Sequence, residues 1–171
     1  DAYYLKATQV RTKIIEEYKK MFKKFDVLIT PTLPILPPKF KEIEKLSLLQ
    51  IWLFPNKKNV TPRYDQLTLD VESRRNNFQQ ILSPNQDDAG VWIHQDAWFS
   101  LGKFDEGFET EYKIKKEGNG VYAFVISGEV TINGQTLSKR DGLGIWDTDS
   151  ISFKANSANA EVLLMDVPME F

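Results

Sequence analysis

From Tyr3 to Phe25 the apolar positions Tyr3, Tyr4, Ala7, Val10, Ile14, Ile15, Tyr18, Met21, Phe22 and Phe25 recur at intervals that align along one face of a helix. The opposite face carries Lys6, Lys13, Glu16, Glu17, Lys19, Lys20, Lys23 and Lys24. Its lysines gather toward the C-terminal end, where they complement the helix dipole. An amphipathic helix with a solvated basic face is therefore predicted, rather than a nucleic-acid patch. After Asp26 the run Val27-Leu28-Ile29 has the character of a short buried strand. Pro31, Pro34, Pro37 and Pro38 then exclude helix and central strand from a connector.

Beyond Gln50 the period changes to two. Strand-like runs are predicted at Leu49 to Phe54, Leu67 to Val71, Phe78 to Leu82, Gly90 to His94, Ala97 to Phe104 and Phe108 to Ile114. They continue at Gly120 to Ser127, Glu129 to Ile132, Gly142 to Trp146, Ser150 to Lys154 and Ala160 to Val167. Phe108, Thr110, Tyr112 and Ile114 alternate with Glu109, Glu111 and Lys113, one set inward and the other to water. Glu109 and Glu111 thus share the wet face, as solvated carboxylates rather than a metal or acid–base pair. Asn133-Gly134, between Thr131-Ile132 and Gln135-Thr136-Leu137, marks a hairpin whose two turn residues need positive φ. The whole predicts an antiparallel sandwich or barrel behind one helix, mainly β and α+β overall.

Composition narrows the chemistry. The 171 residues carry a formal net charge of −2 and a sequence pI near 5.5, which draws neither nucleic acid nor an acidic membrane surface. Absence of cysteine removes disulfides, thiolate nucleophiles and sulfur-ligated metals together, and accords with a cytoplasmic origin. No apolar run reaches membrane-spanning length, so no membrane partner is expected. The chain opens at Asp1-Ala2-Tyr3-Tyr4 without methionine, as expected of a cut or processed fragment.

Two resemblances follow from separate motifs. Asp1-Ala2-Tyr3-Tyr4-Leu5-Lys6-Ala7, Val10-Arg11-Thr12 and Phe25-Asp26-Val27-Leu28-Ile29-Thr30-Pro31-Thr32 resemble the A subunit of glutamyl-tRNA(Gln) amidotransferase, of the amidase signature family. That likeness runs to about Gln50. It implies a catalytic serine, second serine and lysine in a Gly/Ser-rich signature upstream of the matched stretch, so none is carried onto this chain. Thr30 and Thr32 lack a neighbouring base and read as turn or strand-end residues.

Leu49-Gln50-Ile51-Trp52-Leu53, Thr61-Pro62-Arg63-Tyr64, Leu82-Ser83-Pro84 and Ile93-His94-Gln95-Asp96 resemble the carboxyl half of bacterial pirin-like proteins of the bicupin type. Val130-Thr131-Ile132-Asn133-Gly134, Asp141-Gly142-Leu143-Gly144-Ile145-Trp146-Asp147 and Glu161-Val162-Leu163-Leu164-Met165-Asp166-Val167-Pro168 extend the likeness to the end. The resemblance implies a cupin jelly roll. It also implies that the histidine and glutamate metal ligands of family members with quercetin 2,3-dioxygenase activity belong to the other, amino-terminal cupin.

The general cupin metal pattern is His-x-His, then a glutamate, then a glycine seven residues on. With Gly128 as that glycine, Val121 takes the glutamate place, Lys115 and Glu117 or Ile114 and Lys116 the histidine places, and Phe153 the last histidine place. One histidine cannot supply the several imidazoles an oxygen-activating metal needs. That histidine, His94, stands two residues from Asp96, a pair without a nucleophile, and reads as a structural hydrogen-bonding residue. Trp52, Trp92, Trp98 and Trp146 read as core or cavity-lining residues, because basic residues do not interleave them.

The expected organisation is an amidase-derived helix, strand and Pro-rich segment over 1–48 and a pirin-like cupin over 49–171. No catalytic, cofactor-binding or metal-ligating residue is assigned, and no cofactor is expected. The expected function is that of a non-catalytic structural or interaction module. Each part lacks the surface its parent family would pack against it, so helix-on-cupin docking or self-association is expected. Two other readings stay open: a pirin-like dioxygenase whose metal half lies in another chain, and a barrel holding a small apolar ligand. A role in tRNA amidation has no residues here to carry it.

Overall fold

The computed structural model describes residues 2–21, 23 and 49–170. Its contacts divide the chain into two units, Asp1–Gln50 and Ile51–Phe171. In the first, helix α1 spans Ala2–Met21, with Lys19 and Lys20 in its last turn. Lys20 Nζ meets Glu17 Oε1 at 2.7 Å one turn back, and Val10, Ile14 and Ile15 stand exposed. The expected strand at Val27–Ile29 and the proline connector lie outside the described residues.

The second unit is built of ten strands in two sheets. They are β1 (Phe78–Ser83), β2 (Val91–Trp92), β3 (Trp98–Phe104), β4 (Glu109–Lys113), β5 (Asn119–Ser127), β6 (Val130–Ile132), β7 (Gln135–Leu137), β8 (Gly142–Ile145), β9 (Ser150–Ala155) and β10 (Ala160–Pro168). One sheet runs β2-β1-β3-β10-β5-β8 and the other β4-β9-β6-β7. Every pairing is antiparallel except β1 with β2. This is the jelly roll anticipated from the motifs. The β6–β7 hairpin turns through Asn133 and Gly134 at φ 47° and 78°, the mirror-image geometry that matches strand twist.

The interior follows from strand phase. Val121, Ala123 and Val125 of β5 and Ala160, Val162 and Leu164 of β10 face Val130, Ile132, Ile151, Phe153 and Ala155 of the second sheet, all buried. Phe78, Phe104, Phe108, Tyr112 and Phe153 join in a chain of ring contacts with centroids 4.4–5.9 Å apart. β3, β5 and β10 are apolar on the other phase too. Phe99, Leu101, Leu163, Met165 and Ile126 form a second cluster outside the six-stranded sheet. That is why these strands read as nearly continuous apolar runs.

Residues 51–77 cross this outer face as a strap. Leu53 and Leu69 enter the second cluster, while the Asn56 N–H donates to His94 C=O at 2.7 Å and Gln95 Nε2 to Phe54 C=O at 2.9 Å. The Arg63 guanidinium lies 4.2 Å over the Trp92 ring and donates to the Trp92 carbonyl. The strands expected at Leu49 to Phe54 and Leu67 to Val71 are instead coil within this strap. Leu53 and Leu69 anchor by side chain, while Leu49 and Leu67 are exposed and no strand among the described residues lies alongside to pair with either run.

Candidate functional site

Asp166 sits on the inward phase of β10, in line with Val162 and Leu164, and is completely buried. A carboxylate there is tolerable only if its oxygens are satisfied. Lys115 N–H donates to Oδ2 at 2.7 Å, Tyr112 Oη to Oδ2 at 3.2 Å, and Asn119 Nδ2 to Oδ1 at 2.6 Å. Burial pushes the Asp166 carboxyl above its ordinary value, and the Lys115, Asn119 and Tyr112 hydrogen bonds pull against that shift. Burial, then the Asp166 charge, raises the Tyr112 phenol well above its usual range. The nearby Ser100 side chain pulls it slightly the other way. Asp166, Tyr112 and the neighbouring Ser100 thus form a buried polar chain across β10, β4 and β3.

This chain ends at a cavity of about 340 Å³ at the seam where β1 and β4 part. Ser100 and Tyr112 contribute to its lining, with Phe78, Gln80, Thr110 and Lys115 around them. A second cavity, of about 800 Å³, lies between the strap and the 116–119 loop and includes Trp52, Phe54, Gln95 and Val167. The barrel centre itself is occupied by its own aromatic rings, which leaves open space at the seam lined by both polar and apolar groups.

The positions aligned with cupin metal ligands do not fit a metal. Val121 and Phe153 are buried apolar core, and Lys115 bonds Asp166 through its backbone. Among the described residues no three His, Asp or Glu side chains converge on a point that would hold a metal ion. His94 lies outside the barrel, edge-on to Trp92 with ring centroids 4.8 Å apart. Asp96 pairs with Lys116 Nζ rather than with His94. Glu109 pairs with Lys154 and Glu111 accepts from Ser150 on the wet face. Thr30 and Thr32 lie outside the described residues.

Of the two roles expected for the tryptophans, Trp52 and Trp146 take the cavity-lining one, being 80% and 58% exposed and each bordering a cavity. Ser100, Tyr112, Asn119 and Asp166 were missed as a group. The available signal was Asp166, the one charge on the inward phase of Ala160-Glu161-Val162-Leu163-Leu164-Met165-Asp166.

A jelly roll of two facing sheets is the fold of a cupin. Residues 80–167 match the quercetinase C-terminal cupin domain family, and the chain belongs to it. Residues 1–73 match the amidase family, so the chain joins stretches of two unrelated families. Quercetin 2,3-dioxygenase of Escherichia coli K12 is 38% identical over 125 residues, 73% of this chain and 52% of that protein. The A subunit of glutamyl-tRNA(Gln) amidotransferase from Archaeoglobus fulgidus is 56% identical over 41 residues, 24% of this chain and 9% of that protein. The crystal structure of YhhW from Escherichia coli superposes with a TM-score of 0.62 at 36% identity, covering 68% of this chain and 48% of YhhW. The chain therefore spans about half the length of the quercetinase-type relatives it matches.

Proposed function

We propose that this chain is a non-catalytic cupin module, in which the jelly roll serves as a structural or interaction unit and the amidase-type stretch contributes no chemistry. The observation that carries this reading is the filling of the barrel centre. Val121 and Phe153 occupy ligand positions of the cupin pattern, and the one histidine packs on Trp92 outside. An oxygen-activating centre needs convergent imidazole or carboxylate donors, and these positions offer none. A cytoplasmic location and self-association through exposed apolar residues belong to the same proposal. Among the described residues no helix is long and apolar enough to cross a membrane.

Metal analysis after dialysis against nickel or iron(II), combined with oxygen uptake on quercetin, tests the proposal. Substoichiometric metal and background uptake are expected. Stoichiometric metal with quercetin-dependent uptake would instead extend to this chain the activity in its relatives' names.

A further inference from the structure

The seam between β1 and β4 holds a set of unused hydrogen-bonding groups of complementary kinds. β4 pairs only with β9. Ile114 N–H donates to Asp149 C=O at 2.9 Å; antiparallel pairs alternate, so Tyr112 and Thr110 also turn their backbone toward β9. The N–H and C=O groups of Glu111 and Lys113 therefore both face the seam, an edge that pairs with a ligand's hydroxyls as donor and acceptor. The Lys115 ammonium, 5.9 Å from the Tyr112 ring centroid, adds a positive charge and forms no salt bridge among the described residues. The one carboxylate among the lining residues, Glu111, is engaged by Ser150.

The inner side offers acceptors. Ser100 and Tyr112 are 1% and 5% exposed, and the Tyr112 hydroxyl proton is committed to Asp166. The Ser100 hydroxyl oxygen is able to accept, and Gln80 and Thr110 offer further acceptors beside it. A ligand that fits presents a negative group to Lys115 and the β4 amides and hydroxyl donors to the floor. A volume of about 340 Å³ suits a small molecule. We propose that the seam cavity binds a small polyhydroxylated carboxylate, with the carboxylate at Lys115 and a hydroxyl donating to Ser100.

Amide chemical-shift titration of the full chain with gluconate, and with sorbitol as its uncharged counterpart, tests this. Saturable shifts centred on Ser100, Glu111, Tyr112, Lys113 and Lys115 are expected with gluconate and not with sorbitol. Lys115→Met should weaken gluconate binding roughly tenfold, the scale of a charge-assisted hydrogen bond. Lys115 is exposed and its charge also acts on Asp166 and Asp88, so the unfolding temperature of the variant is measured beside its affinity and the comparison is made with the folded variant. Three outcomes would each overturn the proposal: no saturable shift with gluconate, equal shifts with sorbitol, or unchanged affinity in Lys115→Met.

Discussion

Asp166 is a carboxylate held in an apolar interior by three donors, and its burial sets a pH dependence of definite sign. Its folded-state value lies above the ordinary 3.8, so the folded protein takes up this proton at a higher pH than the unfolded chain does. Stability from this group therefore rises as pH falls through the folded value, and it is lost as pH rises back through it. Asp70, Asp88 and Asp105 act oppositely. Hydrogen bonds from Ser73, Ser83 and Asn76 respectively hold each below its ordinary value, so their contribution is present at neutral pH and lost in acid. Asp166→Asn should steepen acid destabilisation, because it removes the opposing group. It should also lower stability at neutral pH by about 1–3 kcal/mol, since an amide NH2 must then face the donors Lys115 N–H, Asn119 or Tyr112. Urea unfolding of both proteins across pH measures the two effects. A steeper loss in the parent than in the variant would contradict the assignment. Phe104 makes a separate case: it is completely buried and contacts Phe78, Phe108 and Phe153. Phe104→Ala should destabilise by about 3–5 kcal/mol in the same measurement.

At the scale of elements, the strap and the strands it covers explain what sequence could and could not disclose. β4 and the β6–β7 hairpin were legible, because alternation and Asn133-Gly134 are local signals whose partners lie nearby. The strap was misread as strands because Leu53 and Leu69 have the apolar spacing of a strand, whereas ladder pairing depends on neighbours distant in sequence. The buried network was hidden for a related reason: Ser100, Tyr112, Asn119 and Asp166 come from β3, β4, β5 and β10, and only sheet register unites them. Arg63 anchors the middle of the strap through the Trp92 ring and carbonyl and is held within the strap by Asp65 at 2.8 Å. Arg63→Ala should speed amide exchange at Asn56 and across Ile51 to Val71 while leaving β3, β5 and β10 protected. The global loss should stay near 1 kcal/mol, the scale of a partly exposed cation–π contact. Uniform loss of protection in all three strands would mean that the strap is an integral part of the core.

For the whole molecule, the determining quantity is apolar surface left in water. Trp52, Phe54, Tyr64, Leu67 and Val71 of the strap and Trp146 beyond β8 are each at least half exposed. Six large side chains, five of them within one strap, exceed the single scattered apolar residues ordinary for a monomer surface. The helix has a comparable imbalance, because Val10, Ile14 and Ile15 are exposed and most helical stability in proteins comes from packing of an apolar face. Water favours covering both, and a second copy of the chain carries the same surfaces. Sedimentation equilibrium should therefore show a mass that rises with concentration. The double variant Trp52→Ser, Phe54→Ser should move the distribution toward monomer without lowering the unfolding temperature, since both residues lie about four-fifths exposed. Amide exchange over Ala2–Met21 should slow at the concentrations where the parent associates. A concentration-independent monomer with rapid exchange throughout that helix would mean that the amidase-type stretch is a passenger and that the cupin unit tolerates its apolar strap in water.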